Sequence, residues 1–221
     1  MTGYQFRGGD KMLQLFHPDS KFMGILNKIA DMMLLNVLFI ITSIPIFTLG
    51  ASITALYTVT LKLSQAEEIY PLREYFTAFK ANFKKATVLW MILFIVGGVL
   101  TAETWFLILI DLEIKNFFLI IQGGLLLFYL STLIMAFPLL SKFSTGAIKT
   151  LNHAVTIPFN WFPESMALVA INILPLVLTG AVFMVFPSII MIWGFIGFSS
   201  SAYLSSMLWN RIFLKMTKDN P

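Results

Sequence analysis

The sequence contains uncharged apolar stretches that are too long for a single membrane crossing. The longest are Met32–Leu61, with 30 residues, and Met166–Leu208, with 43. A straight helix of 30 residues is about 45 Å long, whereas the hydrocarbon core of a bilayer is about 30 Å thick. Each stretch must therefore turn within itself and cross twice.

Proline and glycine indicate where these two stretches turn. Pro45 lacks a backbone donor and disfavours helix at Ile44, and Gly50 permits a tight turn. Pro187 and Ser188 lie near the middle of the second stretch. The sequence predicts an all-α membrane protein, a single domain over residues 1–221. It would be a bundle of about six transmembrane helices with amphipathic cytoplasmic connecting helices, the spans lying at about 25–43, 50–66, 86–110, 117–140, 166–187 and 188–208.

Basic residues give this arrangement an orientation. Four lie in the tail through Lys28, and five lie between Lys62 and Lys85. Because basic loops prefer the cytoplasm, both segments should be on the same side. With both termini inside, 14 of the 15 basic residues are cytoplasmic, and only Lys115 is outside. We therefore expect a multi-pass protein of the bacterial cytoplasmic membrane.

Composition excludes several classes of protein. The chain is 58% hydrophobic and 12% charged, far from soluble usage, where about 25% is charged. It has no cysteine and two separate histidines, and it lacks phosphate-loop, zinc-helix and nucleophile-elbow motifs. We expect no enzyme activity, no cofactor, no metal and no nucleic-acid partner. The bilayer is the expected partner, with other transport subunits or self-association as further candidates.

The first 21 residues are mixed polar, with no short apolar core followed by a small-residue cleavage site. We expect the first apolar segment to remain as a signal anchor.

The segment Pro71–Lys85 has helical periodicity, with aromatic residues along one face and charged residues along the other. We expect an amphipathic helix in the cytoplasmic interface, serving either as ordinary packing under the bundle or as a docking surface. The candidate docking residues are Phe76, Phe79, Lys80 and Phe83.

Glu103 is an ionisable residue inside the third predicted span, and Gln122 falls at a similar depth in the fourth. Ionisable residues within membranes usually face an interior or a cavity. Glu103 is therefore either a polar contact in a pathway or a carboxyl that reaches the outer headgroups. A hairpin of these two spans could bring Glu103 and Gln122 into hydrogen-bonding distance.

Asn36 in the first span and Asn172 in the fifth are the other candidate intramembrane polar residues. Amides at such depth usually join helices by hydrogen bonds.

Three groups of residues are similar to those of the YesL-like family of small bacterial membrane proteins. They are Asn27–Asp31 with Asn36, Ser43–Pro45, Thr48–Ala51 and Ala55–Tyr57; Tyr75–Lys84; and Tyr203 with Asn210–Phe213. The resemblance implies a multi-span membrane protein, largely of unknown function, that accompanies sugar-uptake systems with binding-protein-dependent transporters. It implies no catalytic residues.

Two functional hypotheses follow. The first is a non-enzymatic accessory or permease-like component associated with bacterial carbohydrate uptake, docking through Pro71–Lys85. The second is a self-sufficient transporter or channel for small solutes, with Glu103 in its pathway.

Overall fold

The computed structural model describes residues 21–109, 114–143, 146–183 and 186–219. The tail on which the signal-anchor prediction depends lies outside these ranges. Within them the chain is helical and has no strand. The α-helices are α1 (Lys21–Ser43), α2 (Leu49–Ser64), α3 (Pro71–Leu109), α4 (Lys115–Phe143), α5 (Ala147–Asn160), α6 (Phe162–Phe183) and α7 (Phe198–Asp219). Short 3₁₀ turns occur at Ile46–Thr48 and Pro187–Ile190, and a π-helical turn at Trp193–Gly197.

Six helical segments are long and apolar enough to cross a membrane. They are α1, α2, α3, α4, α6 and the segment Pro187–Lys215 that ends in α7. Large apolar side chains cover their outer surfaces, for example Ile41 at 57% and Phe94 at 52% exposure. Soluble monomers rarely expose such continuous apolar surface. The predicted fold class is confirmed, and the chain is a multi-pass membrane protein.

The predicted turn at Pro45 ends α1 and connects it to α2. Because Pro45 interrupts the helical hydrogen bonds, the last carbonyl groups of α1 need other donors. The Thr48 hydroxyl lies 2.6 Å from the Thr42 carbonyl oxygen and 2.7 Å from that of Pro45, and it donates to this pair. Thr48 therefore closes the end of α1 immediately before α2 begins.

Helix α2 is the centre of the packing. Of its 16 residues, 11 are buried, and it contacts α1, α3, α4 and α7. Gly50 allows α3 to approach closely: a Cβ atom there would lie 2.5 Å from the Ala86 carbonyl oxygen and 2.6 Å from Trp90 Cβ. The other end of α2 lies beside the start of α3, where Lys62 forms an ion pair with Glu74. The two helices are therefore antiparallel neighbours.

The structure differs from the sequence prediction in α3. Pro71–Lys85 is not a separate interfacial helix, because it continues without a break into the third predicted span. A break in a helix usually occurs at proline, at glycine or at an inserted group, and neither proline nor glycine occurs between Pro71 and Gly97. The first part of α3 packs along α2, and the remainder pairs with α4, where the Tyr129 hydroxyl donates to the Leu93 carbonyl oxygen at 2.8 Å.

The connection between α4 and α6 contains two prolines, and neither of them ends a helix. Pro158 lies inside α5, and Pro163 lies in the first turn of α6. A first-turn proline is tolerated because its missing N–H has no partner there in any case. The break falls between the two prolines, at Trp161.

Four helix ends carry polar contacts at the same end of the bundle. The end of α2 and the start of α3 are joined by Lys62 and Glu74, and the start of α6 and the end of α7 by Glu164 and Lys215 at 3.1 Å. Asn210 of α7 donates to Ser64 Oγ of α2 at 2.6 Å, which connects the two pairs.

Candidate functional site

The segment before α7 is interrupted by the π-helical turn Trp193–Gly197. Such a turn leaves backbone groups without their usual helical partners. The side-chain amide of Asn36, fully buried on α1, supplies partners: its Nδ2 donates to the carbonyl oxygens of Trp193 at 2.8 Å and Gly194 at 2.7 Å. Its Oδ1 accepts from the Ser199 backbone N–H at 3.1 Å. One side chain thus stabilises the irregular backbone and joins α1 to it.

The Trp193 ring is fixed beside this turn. Gly197 leaves room for it, since a Cβ atom at Gly197 would lie 2.7 Å from Trp193 Cε3. The indole Nε1 donates to Thr179 Oγ1 of α6 at 2.9 Å. The indole ring also contacts Phe198, whose ring centroid is 5.1 Å away. The π turn therefore places an aromatic wall between α1 and α6.

A second polar group lies where α2, α6 and α7 meet. Asn172 donates from Nδ2 to the Leu168 carbonyl oxygen at 2.8 Å and to Ser205 Oγ at 2.9 Å. Its Oδ1 accepts from the hydroxyl groups of Tyr57 at 3.3 Å and Ser201 at 3.4 Å. The Asn172 amide therefore links three helices.

A cavity of about 640 Å³ lies beside the Trp193 ring and the Asn172 amide. Its walls come from α1, α2, α3, α4, α6, α7 and the π turn, and its lining includes Phe39, Leu56, Trp90, Leu133, Ile173 and Phe198. No charged side chain is among the described residues that line it. Its few polar members are Ser43, Tyr57, Trp90, Asn172, Trp193 and Ser201. A pocket of this size and composition suits an apolar or weakly polar molecule.

The lining does not provide the chemistry of a hydrolytic or metal site. It contains hydroxyl groups but no described histidine or carboxylate that could activate one. Across the described ranges, no group of three or more residues of the types His, Cys, Asp and Glu could hold a metal ion.

Glu103 lies away from this cavity. Its side chain is exposed on α3, and it does not line the cavity. Gln122 is buried on α4, but its Nε2 donates to the Leu100 carbonyl oxygen at 3.0 Å and to Thr104 Oγ1 at 3.2 Å. The two predicted spans do form a hairpin, and Gln122 joins its two helices through partners other than Glu103.

The four candidate docking residues do not share one exposed face. Phe76 and Lys80 are exposed, whereas Phe79 and Phe83 are half-buried and pack against the core. The residue that turns fully inward is Tyr75, whose hydroxyl lies 2.7 Å from Thr42 Oγ1. The exposed part of the predicted surface is therefore the stripe that contains Phe76 and Lys80.

Both asparagines were predicted from the sequence, but the aromatic residues of the cavity wall were not. The sequence is apolar and rich in aromatic residues, so nothing in it distinguishes Tyr57, Trp90 and Trp193 from the others. The π turn had one signal, because Gly194 and Gly197 flank a bulky segment and weaken a regular helix there.

Comparison with known proteins relates part of this structure to a family. Residues 32–104 match the family described as "Protein of unknown function, DUF624", a domain that YesL-like families carry. No curated protein and no solved structure matches the chain. The matched residues run from α1 into α3 and include Asn36, Tyr57 and Trp90, whereas Asn172 and Trp193 lie outside them. About a third of the chain, with one wall of the cavity, is thus similar to a domain of unknown function.

Proposed function

We propose that this protein is a non-enzymatic accessory component of a bacterial carbohydrate-uptake system in the cytoplasmic membrane. The resemblance of its first 90 residues to the YesL-like family supports the link to sugar uptake. The chemistry of the cavity favours an accessory role over a sugar permease. A sugar hydroxyl that loses its water without a new hydrogen bond costs about 1–3 kcal/mol, and the cavity offers few polar partners.

The observation that carries this proposal is the exposed stripe on the first part of α3. Leu72 and Phe76 are 49% and 40% exposed, and Arg73, Lys80 and Lys84 are exposed along the same segment. An exposed aromatic residue and an exposed arginine, such as Phe76 and Arg73, are both enriched at protein–protein contacts. The stripe also belongs to a helix that continues into an apolar span, so a bound subunit would be coupled directly to the membrane domain.

Site-specific crosslinking tests the docking role. A photocrosslinking side chain at position 76, introduced into the chain in its native membrane, should form one adduct with a subunit of a binding-protein-dependent sugar transporter. The reversal of charge in Lys80→Glu should lower the yield, because it removes an attraction to an acidic partner surface. Mass spectrometry of the adduct identifies the partner.

Position 106 provides the matched control. Phe106 is on the same helix and 62% exposed, but it lies far along the apolar part of α3. The proposal predicts no transporter adduct from position 106. Equal yields from both positions, or adducts at position 76 with lipid alone, would contradict a docking role.

A second candidate function is a self-sufficient transporter or channel for small solutes. The observation that favours it is the interrupted helix beside a cavity, an arrangement that many transporters use for substrate sites. Glu103 remains this candidate's proposed pathway residue, although it is exposed on α3 and does not line the cavity. Purified protein in vesicles should then move a solute or protons, and Glu103→Gln should alter that flux while the exposed control Thr101→Ala does not. Vesicles without flux would exclude this function.

A further inference from the structure

The cavity between α1, α4 and α6 has a mouth on the lipid-facing surface. Two of its lining residues, Ile44 directly after α1 and Leu176 on α6, are also 74% and 49% exposed. Both are apolar and both belong to the outer surface of the membrane domain. Ile44 lies in the turn that follows the first span, and Leu176 lies within the span formed by α6, so a molecule entering between them would come from the bilayer near that end of the bundle rather than from water.

Two hydroxyl groups of the cavity wall, those of Tyr57 and Ser201, have only long hydrogen bonds. An O–H···O hydrogen bond is usually 2.5–3.0 Å long. The Ser201 hydroxyl has its two acceptors, the Ile171 carbonyl oxygen and Asn172 Oδ1, both at 3.4 Å. The Tyr57 hydroxyl reaches Asn172 Oδ1 at 3.3 Å, with Ser205 also beside it. These donors can turn to a better acceptor without losing a strong bond.

Two further polar atoms belong to residues of the cavity wall. Ser43 Oγ and Trp90 Nε1 are buried and have no hydrogen-bond partner among the described residues. A buried donor without an acceptor costs about 1–3 kcal/mol, so a polar group of a bound molecule near either atom is favoured. No basic side chain lines the described wall to neutralise a phosphate or carboxylate.

We propose that this cavity binds one molecule of an uncharged lipid, with an apolar chain in the cavity and a hydroxyl or ester group against Tyr57 and Ser201. The apolar lining accommodates the chain, the underused hydroxyl groups bind the polar group, and the lack of charge discriminates against phospholipid headgroups. This site is independent of the proposed accessory function, which depends on the surface of α3.

A photoreactive monoacylglycerol with a diazirine in its chain is the probe. Purified protein in nanodiscs is irradiated with the probe, and labelled peptides are mapped. Labelling should concentrate on the cavity segments of α1, α4 and α6, reach one molecule per chain, and fall when unlabelled monoacylglycerol competes. The lysophosphatidate with the same chain should label these segments more weakly.

Two tryptophan variants on α4 form a matched pair. Leu133 lines the cavity, so Leu133→Trp fills it and should abolish most cavity labelling. Leu127 is on the same helix but 55% exposed and outside the cavity, so Leu127→Trp should label like the original protein. Tyr57→Phe keeps the shape and removes a donor, so it should weaken probe binding by about threefold to tenfold.

Labelling that spreads over the outer helix faces and survives Leu133→Trp would identify ordinary annular lipid and overturn the proposal. Stronger labelling by the lysophosphatidate would overturn the preference for an uncharged lipid. The absence of cavity labelling by either probe would also overturn the proposal, and Tyr57→Phe with unchanged affinity would contradict the assigned role of its hydroxyl.

Discussion

At the scale of single residues, Asn36 holds the interrupted helix against α1. Its amide pairs with two carbonyl oxygens and one N–H of an interrupted helix, all within 3.1 Å. Asn36→Ala leaves these buried groups unpaired, so we expect the free energy of unfolding to fall by about 2–4 kcal/mol. Denaturant unfolding in detergent measures it. Asn27→Ala, an exposed amide on the same helix, should change stability little, and equal losses would contradict the role of Asn36.

Ala66 has an unusual backbone conformation for a residue other than glycine. It has a φ of 57° and follows the end of α2, where the N–H groups of Ala66 and Glu67 donate to the carbonyl oxygens of Leu63 and Lys62. This left-handed position after a helix favours glycine, and another residue there costs about 1–2 kcal/mol. Ala66→Gly should therefore raise thermal stability.

The control for Ala66→Gly is Ala81→Gly, in the exposed interior of α3. Glycine is less favourable than alanine there by about 1 kcal/mol. The two substitutions should shift the melting temperature in opposite directions. Two shifts of the same sign would mean that the backbone at residue 66 is not left-handed.

At the scale of helices, the contact between α2 and α3 depends on Gly50. A methyl group there would lie 2.5 Å from the Ala86 carbonyl oxygen, which is part of a rigid helix. Gly50→Ala should destabilise the protein by about 1–3 kcal/mol, because overpacking forces the helices apart. Gly98→Ala meets no atom within 4 Å and should be neutral or stabilising. Similar stabilities of the two variants would contradict the close approach.

A distance measured along α3 can distinguish one continuous helix from two helices that meet at a bend near Lys85. Thr77 and Thr101 are both exposed and lie on either side of Lys85. In one straight helix they are about 36 Å apart, whereas a right-angle bend at Lys85 would bring them to about 27 Å. The chain has no cysteine, so spin labels on Thr77→Cys and Thr101→Cys report this distance directly. A value near the shorter distance would restore a separate interfacial helix.

The sequence contained enough information to predict that α3 is continuous. The change from charged to apolar residues after Lys85 suggested a boundary, but polarity describes the surroundings of a helix and does not break its hydrogen bonds. A break needs proline, glycine or an inserted group. The number of apolar helices was predictable from length. The bilayer thickness limits the length of one crossing, so the length of each uncharged stretch indicates how many times it crosses.

At the scale of the molecule, the cavity could not be predicted from sequence. Asn36 and Asn172 were recognisable as polar groups in apolar spans, but their partners are 157 and 115 residues away, at Trp193 and Tyr57. Which helices become neighbours depends on packing across the whole bundle. Periodicity identifies the buried face of a helix and carries no information about the helix that will cover it.

The orientation of the bundle follows from the ends of its helices. The charged ends of α2, α3, α6 and α7 lie at one end of the molecule, as an even number of crossings between them requires. The distribution of basic residues predicts that this end is cytoplasmic.

Accessibility labelling tests this orientation. Tyr70 precedes α3 and is 82% exposed, and Ile114 precedes α4 and is 59% exposed. An impermeant maleimide on intact cells should label Ile114→Cys, and should label Tyr70→Cys only after the membrane is permeabilised. Thr54→Cys, buried on α2, serves as the unlabelled control. The reverse pattern would invert the orientation. Labelling of both exposed positions from outside would place the two ends of α3 on one side, which a single helix that crosses the bilayer cannot satisfy.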